Sequence, residues 1–266
     1  MTRIDYLLVT HFHADHDGGV PELAQLMPIR TFIDHGSVLP EAEQNVRGTL
    51  DAFHAYAAVR AKGRHLEPKL GERLPLKGID AVVVSSARST IPRALAGAGE
   101  RNATCATSER SPVDPNENPR ATGILLRFGK FRFLDLGDLT GRPLHDLVCP
   151  IDRIGPVDVY LVAHHGGADA ADPATFAAFM PRVALLNNGA TKGGDPEMFA
   201  TLHAQRLEAV WQLHRSDKPG AENFPDDLIA NLDEGAAHWI KVSANEDGSF
   251  IVKNGRTGYV KSYPAR

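Results

Sequence analysis

Apolar positions along the chain fall in short continuous runs, each ending at a polar or glycine-rich turn, which is how buried strands and the loops after them read. Residues 4–9 (IDYLLV) are a strand, residues 20–27 a helix with Pro21 near its start, and residues 30–33 (RTFI) a second strand. Between about 41 and 62 the spacing of Val46, Leu50, Phe53 and Ala57 predicts a longer helix. Short strands are expected over 66–86, with AVVV at 81–84 in the interior. A hairpin follows over 124–126 and 128–136, turning near Gly129 and Lys130. Strands at 158–163, 183–186 and 209–213 then alternate with helices at 173–180 and 196–207, and a last hairpin turns at Asp247 and Gly248. Residues 87–123 hold no firm period and predict a long excursion bordering the functional site. No repeat or internal boundary interrupts the pattern, so a single domain over 1–266 is expected.

The polar residues at the ends of these runs carry the chemistry. THFHADHDGG, residues 10–19, follows the first strand. On extended backbone His11 and His13 point the same way, and a tight turn at Ala14 brings Asp15 and His16 to the same spot. Three imidazoles and a carboxylate within residues 11–16 supply ligands for two adjacent metal ions. Burying so many ionisable groups unpaired would be expensive. LDLGDLTG places Asp138 after another strand, and DVYLVAHHGG places His164 and His165 after a third, so the three sites can converge on one rim. Of the two adjacent histidines, one is expected to bind metal and the other to orient a ligand or contact substrate; the sequence does not choose between them. His35 is a candidate for lining the same rim, and Lys192, in NNGATKGG, for holding an anionic substrate group.

Composition narrows the partners. An apolar fraction of 42% and a charged fraction of 23% are those of a globular protein, and a formal charge of -4 argues against a general polyanion binder. Arg88, Arg93, Arg101 and Arg110 form the only loose basic cluster that would reach nucleic acid, and solvated loop charge is their default reading. No 18-residue apolar stretch predicts a membrane span. The opening MTRIDYLLV carries no export signal, so the cytoplasm is the expected compartment of the chain as given. Cys105 and Cys149 lack CxxC spacing and are expected to be free thiols. Trp211 and Trp239 are expected in the core.

THFHADHDGG is similar to the HxHxDH signature of the metallo-beta-lactamase fold hydrolases. LDLGDLTG and VAHHGG resemble the branch related to the soluble domain of the DNA-uptake channel protein of competent bacteria. The resemblance implies an α+β fold, a four-layer αββα sandwich with metals at the shared edge of two sheets. It implies His11 and His13 as ligands of a first ion, Asp15 and His16 as ligands of a second, Asp138 as the bridging carboxylate, and His164 or His165 as the last ligand of the second. Two departures carry expectations of their own. The family has several strands ahead of its motif, so this sandwich is expected either to lack the usual N-terminal strands or to be closed by another element. Residues 66–137 hold no histidine where the family has a first-site ligand, so a weaker or more open first site is expected, held by His11, His13 and Asp138 with Asp114 or Asn118 as a candidate helper.

The implied activity is metal-dependent hydrolysis, a metal-activated hydroxide attacking a phosphodiester or related ester. Asp15 would relay a proton, and His164 and His165 would serve as catalytic or metal-binding groups. One or two Zn2+ ions are expected, with Mn2+ or Fe as substitutes, and the partner is a small-molecule or phosphodiester substrate. The competing readings are a lactone, carboxylic ester or beta-lactam hydrolase, and a non-catalytic metal-binding or interaction module.

Overall fold

The computed structural model describes residues 2–108, 114–233, 235 and 237–266, so Arg110 lies outside the described residues. The first third of the chain forms β1 (Ile4–Leu8), α1 (Ala14–Asp17), α2 (Val20–Leu26), β2 (Ile29–Ile33), α3 (Ala42–Asn45), α4 (Thr49–Arg60), β3 (Arg64–Leu66) and β4 (Asp80–Ser86). The middle adds β5 (Ser89–Thr90), β6 (Gly123–Phe128), β7 (Phe131–Asp135), α5 (Gly141–Val148), β8 (Val159–Leu161) and α6 (Pro173–Phe179). The remainder is β9 (Val183–Leu186), α7 (Pro196–His203), β10 (Ala209–His214), β11 (Ile229–Asn231), β12 (Ile240–Ala244), β13 (Phe250–Asn254) and β14 (Val260–Tyr263).

Eight strands make one mixed sheet in the order β11-β10-β9-β8-β7-β6-β4-β5, parallel from β11 through β7 and antiparallel beyond. Strand pleating assigns its two faces. Val84, Leu125 and Leu134 turn to one face and pack with residues of α5, α6 and α7 such as Leu147, Phe176 and Phe199. Ala81 and Val83 turn to the other and meet Ile33, Leu8 and Leu66 of a parallel three-stranded sheet, β1-β2-β3. Phe12, Val20 and Tyr56 bury that sheet's outer side under α2 and α4, which completes an αββα order of layers. Along the same face of the large sheet Phe131, Val159, Val183 and Trp211 pack against Phe250, Val252 and Tyr263 of the antiparallel sheet β12-β13-β14. The element that closes the sandwich beside the first sheet is therefore C-terminal. Trp211 Nε1 donates to the Tyr263 hydroxyl at 3.0 Å and pins the two sheets together.

Three expectations need correction. The helix expected over 41–62 is split into α3 and α4 because Gly48, left-handed at φ 86°, turns the chain between them. Trp239 is half exposed rather than in the core. Cys105 and Cys149 are joined in a disulfide, their Cα atoms 5.7 Å apart, which ties the excursion to the end of α5. Forty-four positions of separation give the sequence no spacing signal for that pair. The excursion is also held by Arg88, which donates to the carbonyls of Asp114, Pro115 and Asn116 and so acts as a clip rather than a free phosphate contact.

Behind the first sheet Asp34 ends β2 fully buried, accepting from the Tyr56 hydroxyl at 2.6 Å, Arg60 at 2.9 Å and the Gly36 N–H at 2.7 Å, with His65 Nε2 at 2.8 Å. Burial alone would raise its carboxyl, but the hydrogen bonds from Tyr56, Arg60 and His65 hold it below the usual range. Its stabilising effect is therefore complete above the ordinary carboxylate pKa and is lost as pH falls through the lower folded value. Asp34→Ala is expected to cost about 3 kcal/mol, because it strands Tyr56 and Arg60 without their acceptor. Asp34→Asn should flatten the acid limb of a stability-versus-pH curve measured by urea unfolding, and an unchanged limb would refute the assignment.

Candidate metal centre

Parallel strands end together, so the loops after β7 and β8 leave the large sheet at one rim. The loop after β1 is stitched to that rim by the Thr122 N–H, which donates to the Thr10 carbonyl at 2.8 Å, and the loops after β7 and β8 are joined by the His164 N–H donating to the Gly137 carbonyl at 3.2 Å. Gly137 is left-handed at φ 55°, and a Cβ there would lie 2.7 Å from the Thr10 side chain, so only glycine lets the loops approach. His11, His13, Asp15, His16, Asp138 and His165 are thereby brought together from three segments.

Their donor atoms form two sets that share one carboxylate. Asp15, His16, Asp138 and His165 make one, and His11, His13 and Asp138 the other, the atoms of each lying within 4.8 Å of one another. Asp138 Oδ2 is 3.1 Å from His16 Nε2, 3.3 Å from His165 Nε2 and 3.7 Å from His11 Nε2. His165 Nε2 is 3.1 Å from Asp15 Oδ2 and 3.2 Å from His16 Nε2, and His11 Nε2 is 3.1 Å from His13 Nδ1. Thr10 and Asn187, which sequence reasoning missed, aim these rings. The Thr10 hydroxyl lies 3.1 Å from His11 Nδ1 and 3.5 Å from His16 Nδ1, and His165 Nδ1–H donates to the Asn187 carbonyl at 3.1 Å. Where Nδ1–H donates, as His165 does to Asn187, Nε2 carries the lone pair that a metal ion would take. The threonine ahead of HFHADH was the available signal; a carbonyl after a distant strand leaves none.

Charge in the cluster is strongly biased. Burial alone would raise Asp15 and Asp138, yet hydrogen bonds to His16 and His165 hold both far below the carboxylate range. Burial alone would lower His16 and His165, but hydrogen bonds to Asp138 and Asp15 push both up to about 9. Desolvation holds the fully buried His11 well below its ordinary value. Two carboxylates thus demand positive charge where His16 Nε2 and His165 Nε2 lie 3.2 Å from each other and 3.1–3.3 Å from carboxylate oxygens of Asp138 and Asp15. The all-nitrogen and oxygen donor set fits a divalent transition ion, and no thiolate selects zinc over iron or manganese.

The adjacent histidines part because both are left-handed, His164 at φ 49° and His165 at φ 54°, a backbone state that non-glycine residues adopt at a cost. His165 turns into the donor cluster. His164 turns aside, its Nδ1 donating to both oxygens of Asp169 at 2.7 and 2.9 Å and its Nε2 lying 3.3 Å from the Asn118 amide nitrogen. Asp169 had no motif to reveal it. Asp114 is engaged by the Thr140 hydroxyl and the Asn116 N–H, whereas buried Asn118 leaves its Oδ1 without a partner among the described residues. His35 has a fully buried side chain, 3.1 Å from Glu117 and against the Phe12 ring, and does not line the cavity beside the cluster. Lys192 does line that cavity and pairs with Asp15.

No curated protein sequence matches the chain. Among solved structures it aligns with a mutant of the CmlA beta-hydroxylase at 15% identity, covering 80% of this chain and 44% of that one, TM-score 0.45. It aligns with CmlA, a diiron beta-hydroxylase from Streptomyces venezuelae, at 17% identity over 70% and 35% of the two chains, TM-score 0.40. The third is Igni18, a metallo hydrolase from the archaeon Ignicoccus hospitalis KIN4/I, at 15% identity over 87% and 77%, TM-score 0.37. The chain spans less than half the length of either CmlA chain. Residues 2–85 match the family model described as the metallo-beta-lactamase superfamily, and the layers and mixed sheet around the cluster are the α+β sandwich of the metallo-beta-lactamase fold.

Proposed function

We propose that this chain is a metal-dependent hydrolase of a phosphodiester or related ester. The observation that carries the reading is Asp138 Oδ2, one buried carboxylate oxygen within 3.7 Å of nitrogens from both donor sets. His11, His13 and Asp138 would hold one ion, and Asp15, His16, Asp138 and His165 a second. When bound, divalent ions supply Lewis acidity, acidifying water for attack and drawing charge from the scissile group. Asp15, the most exposed member of the cluster, would accept a hydrogen bond from the attacking water and relay its proton outward rather than hold it. His164, fixed at Nδ1 by Asp169, offers Nε2 to the substrate, and Lys192 binds an anionic oxygen. The likeness of LDLGDLTG and VAHHGG to the competence-related branch, together with lysines beside the cluster, favours a phosphodiester.

The donor counts predict unequal ion affinities, since one set offers four protein ligands and the other three. Calorimetric titration of chelated protein with Zn2+ or Mn2+ should show two phases. His165→Ala should weaken the tighter phase by about tenfold or more, and a single phase indifferent to that change would count against the assignment. Hydrolysis of bis-p-nitrophenyl phosphate should vanish on chelation and return with metal. Turnover of a chromogenic lactone or beta-lactam instead would move the substrate class, and folded, metal-loaded protein that turns over none of them would leave a binding module.

A further inference from the structure

A cavity of about 530 Å³ opens beside the cluster, with His164, His165, Thr191, Lys192 and Lys218 in its lining. Its size is that of a small-molecule site. Its acidic groups are occupied. Asp169 takes His164 Nδ1 on both oxygens, and Asp195 takes the Ala168 N–H at 2.8 Å on one oxygen and Lys218 on the other. Each lysine has one carboxylate partner, Asp15 for Lys192 and Asp195 for Lys218, and an ammonium carries three N–H donors. Each ammonium therefore keeps N–H donors that can turn to a ligand, while Asp169 and Asp195 are each already engaged by a cationic or N–H partner. Gly193 fixes this arrangement: it is left-handed at φ 61°, and a Cβ there would lie 2.2 Å from the His165 carbonyl, so the loop that carries Lys192 is pressed onto the cluster.

Building on the hydrolase reading, we propose that this cavity is a subsite for a second oxyanion of the substrate, a phosphate or carboxylate beside the scissile ester, bound by Lys192 and Lys218. Two ammonium groups in one cavity, next to a cluster that would draw anionic oxygen once it holds metal, favour a substrate with two anionic centres over one with a single charge. Asp195 and the Ala168 N–H act as positioning groups that hold Lys218 at the wall.

Two matched diesters test the proposal on metal-loaded protein: the p-nitrophenyl ester of thymidine 5′-phosphate, and the same ester with an added 3′-phosphate. The second should show a KM lower by about tenfold. Lys218→Met should remove most of that advantage and Lys218→Arg retain it, with Lys192→Met as an independent second variant. Equal KM values in the wild type, or an advantage that survives both methionine variants, would overturn the subsite. Calorimetry with inorganic phosphate and with succinate separates this idea from the hydrolase reading. If neither diester is cleaved, hydrolysis of these esters fails, while phosphate or succinate binding weakened by Lys218→Met still supports the subsite and unchanged binding of both sinks it. Preference for phosphate over succinate identifies which oxyanion the site takes.

Discussion

Asp138→Ala is expected to lower hydrolysis by on the order of a thousandfold or more and to abolish the binding of one ion while weakening the other. Its effect should exceed that of any single histidine, because Oδ2 belongs to both donor sets whereas each imidazole belongs to one. The carboxylate is 2% exposed, so water cannot substitute for it without opening the rim. Removing it also leaves His16 and His165 without the negative partner that now lies 3.1 and 3.3 Å away. Metal content by elemental analysis, read alongside turnover and circular dichroism, is the check. A folded Asp138→Ala protein that keeps both ions would exclude Asp138 as the shared ligand.

Loss of the Cys105 to Cys149 bond is expected to cost the largest amount of stability of any change away from the cluster. Closing a loop of 44 positions restricts the unfolded chain by an amount worth about 4 kcal/mol in the chain-entropy account. For a domain of this size that corresponds to a fall in melting temperature of roughly 10 °C. The bond sits where the excursion meets the helical layer: Asn102 beside it donates to the carbonyls of Val148 and Ala174, and Ser108 beyond it bonds Asp172. Cys105→Ser and thiol reduction of the wild type should produce matching shifts. A Cys105→Ser protein that melts with the wild type would show that the two sulfurs are not bonded in solution.

Local signals were legible where one segment decides its own fate. The apolar runs gave β1, β2, β8, β9 and β10 close to their observed limits, and the hairpin of β6 and β7 turned where Gly129 and Lys130 stand. Elements with too little pattern of their own escaped. α5 is amphipathic but only eight residues long, and β11 and β14 have three and four residues; pairing with β10 and with β13, partners distant from a short segment's own pattern, is what sets the two strands. His11, His13, Asp15 and His16 were legible because four donors in six positions have no cheap structural use.

The sequence by itself determined which residue types the rim would carry and in what order, because strand ends, glycines and the HFHADH spacing are properties of short segments. Only the tertiary structure decided between His164 and His165, since that choice depends on two left-handed backbone states and on Asp169, Asn118 and Asn187 from elsewhere in the chain. It also decided that Cys105 meets Cys149, that Glu117 buries His35, and that a C-terminal sheet covers the face the first sheet leaves open. Contacts between distant segments follow from how whole layers fill space, and no local pattern records them.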